Sequence, residues 1–335
     1  MASSSFYLSA RQRAKITLRS HHFWWRREIP TWLLIVSVYS GWFAAVYFWN
    51  NLGPWLATPV LIWFTTWYMS LQHELIHGHP TRKPWLNQLI GTLPLAVWYP
   101  YGLYRDTHLQ HHRNEHLTLP GDDPEAYYFS RASWESLSPA MKAVVRLRNT
   151  LPGRMLIGPL LDIVSTLTGA LIAVLRGEWR TGGMWLIHGA LLVVMFSGMA
   201  QRGLSPLYFI FAVSYPALSL TKVRSFFEHR AEHAPQARST LNEAGFLWRL
   251  LFLNLNYHLV HHDLPGVPWY ALRQIYVADR EAYIQRSGGF VVHGYRQWFR
   301  DHTQTPVDVE AHPFAAGKSP AQSVPGDYDY QQDTP

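Results

Sequence analysis

The chain has 335 residues, 48% hydrophobic and only 15% charged, with a formal charge of +7, 18 histidines and no cysteine. The missing cysteines exclude disulfides, cysteine-held zinc and iron–sulfur clusters, so any metal must sit on nitrogen or oxygen ligands. The positive balance by itself allows an anionic membrane surface or nucleic acid as partner.

Residues 1–30 carry six Lys/Arg and no short apolar core with a small-residue cleavage site, so they read as a basic cytoplasmic segment, 1–29, and not as a signal peptide. From Ile29 to Gln72 there is no Asp, Glu, Lys or Arg. That length suits two transmembrane helices of about 20 residues each. The turn signal Asn50-Asn51-Leu52-Gly53-Pro54 divides them into spans 31–49 and 54–71. A second sparse region, Thr181 to Thr221, is interrupted only by Arg202 and predicts a second hairpin with spans 184–200 and 206–220. Soluble helices rarely stay uncharged on every face for this long.

Two segments are ambiguous. Residues 85–104 lack charge but carry Gly91, Pro94, Pro100 and Gly102, and residues 155–175 are apolar except for Asp162. Either spans the bilayer or lies in its interface. Eleven Lys/Arg fall in residues 73–180, against none in the first interhelical loop and one in the second. The positive-inside rule therefore places both termini and the central loop in the cytoplasm. The basic residues flank spans, where they set topology, so nucleic acid is not expected. Residues 303–335 hold five acids and one lysine among Pro, Gln and Ser, and read as a disordered polar tail. A membrane unit over 30–302 remains.

Twelve histidines fall in residues 73–116 and 229–262. Three clusters stand out: His73-Glu74-Leu75-Ile76-His77, His108-Leu109-Gln110-His111-His112 and His258-Leu259-Val260-His261-His262. Residues at i, i+3 and i+4 share a helix face, so His73 and His77 present two imidazoles and each later cluster three. Eight convergent nitrogens exceed the three protein ligands of a catalytic zinc and suit two metal ions. Imidazole accepts iron, copper, zinc or nickel, so the donors alone do not name the metal. The clusters can meet only if both ambiguous segments stay at the membrane surface.

These three boxes, with Asn254-Leu255-Asn256-Tyr257 before the third and Pro265-Gly266-Val267-Pro268-Trp269 after it, make the chain resemble the membrane-bound fatty acid desaturase superfamily over about residues 30–300. The resemblance implies an all-α integral membrane fold: two transmembrane hairpins, four spans in all, with a cytoplasmic helical cap carrying a di-iron site. It implies two irons on His73, His77, His108, His111, His112, His258, His261 and His262, and a ninth histidine soon after the last span. His229 fits that place and His233 follows one turn later. Glu74, Asp106, Glu228, Asn256 and Asp263 are candidates for orienting the ligands; His116 is a further outer candidate, and His79 falls off the face of His73 and His77.

The implied chemistry is O₂-dependent removal of hydrogen from a fatty acyl chain carried on a lipid or thioester. No cysteine, His-Pro-Gly-Gly box or GxGxxG motif is present, so the electrons come from an external ferredoxin or cytochrome with its reductase. The setting is a multi-pass membrane protein among membrane lipids, in the inner membrane of a bacterium, with its site facing the cytoplasm. Lipid hydroxylases and carotenoid ketolases or hydroxylases share the boxes. His73-Glu74-Leu75-Ile76-His77 also matches the HExxH of an intramembrane zinc protease, a reading that leaves six box histidines unused. His188 lies alone inside a span, where a neighbouring carbonyl would satisfy it.

Overall fold

A computed structural model describes residues 8–112 and 116–315, and the fold is mainly helical. A short basic helix α1 (Ala10–Ser20), capped by Ser9 and Gln12, and α2 (Phe23–Arg27) lead into α3 (Ile29–Tyr47). Pro30 sits in the first turn of α3, where its missing N–H costs nothing. Helix α4 (Trp49–Ile76) follows almost at once. The expected turn is present inside it: Gly53 has φ 69°, a left-handed value, immediately before Pro54. Helix α4 continues past residue 71, and that extra turn carries the first histidine box.

Helices α3 and α4 pack closely because Gly41 leaves room for Phe64; a Cβ at Gly41 would fall 2.1 Å from Phe64 Cζ. Trp42, 1% exposed, packs edge-on against Phe209 and donates its indole N–H to Thr65 Oγ1 at 3.2 Å. Burying such a side chain is worth roughly 2–3 kcal/mol.

Helix α5 (Pro84–Gly91) has eight residues and α6 (Tyr101–His111) follows an irregular stretch. Three short helices, α7 (Arg131–Ser136), α8 (Pro139–Arg148) and α9 (Leu151–Leu156), precede α10 (Gly158–Leu175) and α11 (Trp179–Gln201). The next helical stretch runs through α12 (Pro206–Tyr208), a π-helical turn at Phe209–Ser214, and α13 (Tyr215–Arg224). Then come α14 (Phe246–Leu251), α15 (His258–Asp263), α16 (Trp269–Ala278), α17 (Arg280–Arg286) and α18 (Tyr295–His302). Among the described residues, strand is limited to the parallel two-residue pair β1 (Leu241–Asn242) and β2 (Val291–Val292), apart from isolated bridges.

By length and composition, α3, α10 and α11 are apolar and long enough to cross a membrane. The expected first and third spans coincide with α3 and α11. The expected second and fourth fall on α4 and on the α12–α13 stretch, which are helical but outside those three. Helix α10 covers the segment expected to stay at the surface. It leaves Leu160, Val164, Leu167 and Leu171 exposed, while Asp162 pairs with Lys222 of α13.

Of the expected polar tail, residues 303–315 are described and are bonded to the stretch around α7 and α8. Val307 N–H donates to Asn149 O at 2.8 Å, and Phe129 N–H to Glu310 O at 2.8 Å. Residues 1–7 and 316–335 lie outside the described residues.

Candidate metal centre

Four pieces of chain bring the histidines together. His73 sits in the last turn of α4 and His77 caps it. His108 and His111 lie on α6 with His112 at its cap, and His258, His261 and His262 lie on α15. His229 follows the 3-10 turn after α13 and is held by an antiparallel bridge to Ser239. A sharp turn sets up α15: Leu253 and Asn254 have φ of 50° and 56°. Asn254 Nδ2 then donates to Trp269 O at 3.1 Å, tying the stretch before the third box to the stretch after it.

The nine histidines fall into two groups, in each of which the available ring nitrogens lie within 4.8 Å of one another: His73, His77, His108, His112 and His261 in the first; His111, His229, His258 and His262 in the second. In the first, Nε2 of His77 is 3.1 Å from that of His108, His108 is 3.1 Å from His112, and His112 is 3.1 Å from His261. In the second, His111 and His229 are 3.1 Å apart, His229 and His258 2.9 Å, and His258 and His262 3.1 Å. Two nitrogens held about 2.1 Å from one ion at a right angle would lie about 3.0 Å apart. His73 has both ring nitrogens buried without a hydrogen-bond partner, with its ring 4.5 to 4.8 Å from those of His77, His108 and His261. An orphaned buried nitrogen is costly, and a metal ion would satisfy it. The donor set therefore fits two ions.

Some of the outward nitrogens find partners, whereas Nδ1 of His73, His112 and His258 makes no hydrogen bond. His111 Nδ1 donates to Asp123 Oδ1 at 2.8 Å and His108 Nδ1 to Glu125 Oε1 at 2.9 Å. His229 Nδ1 lies 3.1 Å from Ser239 Oγ, and His258 Nδ1 3.3 Å from Glu228 Oε1. Glu74 is 3.6 Å from His73 Nδ1 and accepts the Trp269 N–H at 3.1 Å. Asp123 and Glu125 were not among the candidates from sequence. Of those that were, Asp106 pairs with Arg105 and Arg180, Asp263 with Arg286, and Asn256 donates to Asn242 O.

Burial, and after it mainly the neighbouring imidazoles, pushes His77, His112, His229, His258, His261 and His262 well below the ordinary histidine value. They stay neutral and keep a lone pair for a metal. His111 differs. Burial works against its protonation, but Glu125 and Asp123 outweigh it and raise it to about 9.

The other histidines stand apart. His79 Nδ1 pairs with Glu28 Oε1 at 2.7 Å. His188 meets the carbonyl of Val97 at 2.6 Å. His116 is exposed, 3.8 Å from Asp122, and His233 is exposed with its ring against Phe314. Beside the second group a cavity of about 50 Å³ is lined by Glu125, Tyr127, Tyr128, Arg154, Glu228 and His229, room for a few waters.

The fatty acid desaturase family model matches residues 52–295, spanning all three boxes and His229. The chain belongs to the fatty acid desaturase family. A sn-1 oleoyl-lipid 12-desaturase of Picosynechococcus sp. is 25% identical over 279 residues, which cover 74% of this chain and 75% of that relative. This desaturase-family chain is thus an oxidoreductase of lipid metabolism, with apolar helices suited to a membrane and histidine clusters able to bind metal.

Proposed function

We propose that the chain is a di-iron, O₂-dependent desaturase that introduces a double bond into a fatty acyl chain on a lipid or thioester carrier. The observation that carries the reading is the separation of nine histidines into two groups, each with nitrogens within 4.8 Å and each with three Nε2 pairs 2.9 to 3.1 Å apart. Bound iron would supply the reduction of O₂ and the oxidising power to remove hydrogen from an unactivated carbon. The first ion would rest on His73, His77, His108, His112 and His261, the second on His111, His229, His258 and His262. The protein's own contribution is to fix these imidazoles, to lower the proton affinity of most of them, His111 excepted, and to hold them in a site where they are mostly buried. Desaturation removes two hydrogens and reduces O₂ to two waters, so two electrons and two protons enter per turnover. A ferredoxin or cytochrome with its reductase is the proposed donor.

The proposed topology has four spans, α3, α4, α11 and the α12–α13 stretch, with both termini and the histidines in the cytoplasm. Two features support it. Convergence of the three boxes requires an even number of crossings between successive boxes. Helix α5, eight residues long, reaches about 12 Å against a hydrocarbon core of about 30 Å. On this reading α10 lies in the membrane interface. Residues 30–302 form the membrane unit, with the 1–29 basic segment and the 303–335 tail as flanks.

The test is expression in a host that supplies an electron donor, followed by lipid and pigment mass spectrometry. A product about two mass units lighter supports desaturation. Products about sixteen or fourteen units heavier would instead assign hydroxylation or ketolation.

A further inference from the structure

Among the described residues, the two carboxylates that accept from the histidine groups at the shortest distances lie in one loop, two residues apart. Asp123 Oδ1 accepts from His111 of the second group, and Glu125 Oε1 accepts from His108 of the first. Asp123 also organises the loop: Oδ1 takes the Glu125 N–H at 2.9 Å and Oδ2 takes the Thr118 N–H at 2.8 Å. The loop is in turn clasped by chain beyond α18. Thr118 Oγ1 lies 3.1 Å from His312 Nε2, His312 N–H donates to Phe129 O at 2.9 Å, and the Phe129 N–H donates to Glu310 O at 2.8 Å. Tyr128 OH donates to Asp308 and accepts the Ala231 N–H at 3.0 Å, close to His229 in the chain.

We propose that Asp123 and Glu125 are positioning residues, one for each metal group, and that the C-terminal strap 307–312 sets the loop that carries them. The proposal rests on the di-iron reading. A histidine whose Nδ1–H is fixed by a carboxylate has its tautomer and ring plane fixed, and its Nε2 lone pair is turned toward the metal. His108 and His111 are three residues apart on α6 yet serve different groups, so each needs its own anchor. The strap reaches both through one loop.

The experiment counts and titrates metal, using Fe(II) and the spectroscopic probe Co(II) on the purified full-length chain. Compared with wild type are Asp123→Asn, Glu125→Gln, His312→Ala, and chains ending at His302 and at Ala315. Wild type should take two ions. Asp123→Asn should weaken one ion by roughly 10–100-fold and Glu125→Gln the other, with separate changes in the Co(II) spectrum. Ending the chain at His302 should weaken both, His312→Ala should do so more mildly, and ending at Ala315 should change nothing. Metal-free thermal unfolding separates these effects from misfolding. Two ions bound with wild-type affinity in Asp123→Asn and Glu125→Gln would overturn the positioning role. Wild-type binding after ending at His302 would overturn the strap. A wild-type chain that binds no metal would overturn this proposal together with the reading beneath it.

Discussion

Helices α6 and α15 carry the same histidine spacing and divide it in opposite ways. Helix α6 gives His108 and His112 to the first group and His111 to the second, whereas α15 gives His258 and His262 to the second and His261 to the first. Helix geometry accounts for the split. At about 100° per residue, i and i+4 are about 40° apart, while i+3 lies about 60° to the other side. A box of this spacing therefore offers a pair to one group and a single ring to its neighbour. Two such boxes facing each other build two groups three plus three, and α4 and His229 extend them unequally, to five and four.

That inequality can be broken by substitution. The largest effects should come from His108→Ala and His111→Ala, neighbours on one helix that belong to different groups. Each should remove a different ion, and each should reduce turnover by more than about a hundredfold, beyond the range for losing an outer partner. Metal counting paired with Co(II) spectra checks this; the same ion lost in both variants would contradict the division.

A smaller contrast is expected between His73→Ala and His229→Ala. The first leaves four imidazoles in its group and the second leaves three. Titration should show weaker metal retention in His229→Ala, and equal losses would argue against the five-and-four count.

The three boxes were legible because helical spacing is written directly in the chain. Their convergence followed from topology, and His229 from its place after the last expected span and the family resemblance. The division of individual rings between two groups was not legible, because it depends on how α6 and α15 face each other. Asp123 and Glu125 were missed because they sit in a loop with no periodicity; the Asp-Pro-Glu turn so soon after the second box was the available signal. The segment 303–315 was read by composition as part of a polar tail, although Val307, Val309 and Phe314 offered apolar anchors within it. Among the outer candidates, Glu228 and Glu74 lie beside His258 and His73, Glu228 also pairing with Arg224, whereas Asp106 and Asp263 pair with arginines alone among the ion pairs seen.

Outside both groups, His79→Ala should leave Glu28 buried without its imidazole partner, with Thr31 Oγ1 and the Tyr270 side chain still beside it. The expected cost is about 1–3 kcal/mol in stability, with two ions still bound; a lower unfolding temperature and unchanged metal content are the readouts. The smallest effect concerns Glu243, which belongs to neither histidine group and pairs with Arg280 and His293. Its bonds to Arg280, against the opposing effect of burial, lower its carboxyl from 4.5 to about 2. A depressed folded value contributes stability above the unfolded value, lost as pH falls from about 4.5 through about 2. Arg280→Ala should flatten that part of the pH–stability curve by less than the His79 effect and leave metal binding untouched.

The most direct test of the two-group account is the metal content of the purified full-length chain. The account predicts two irons per chain, falling to about one in either His108→Ala or His111→Ala. A single ion in the wild type, or one zinc in place of iron, would contradict it.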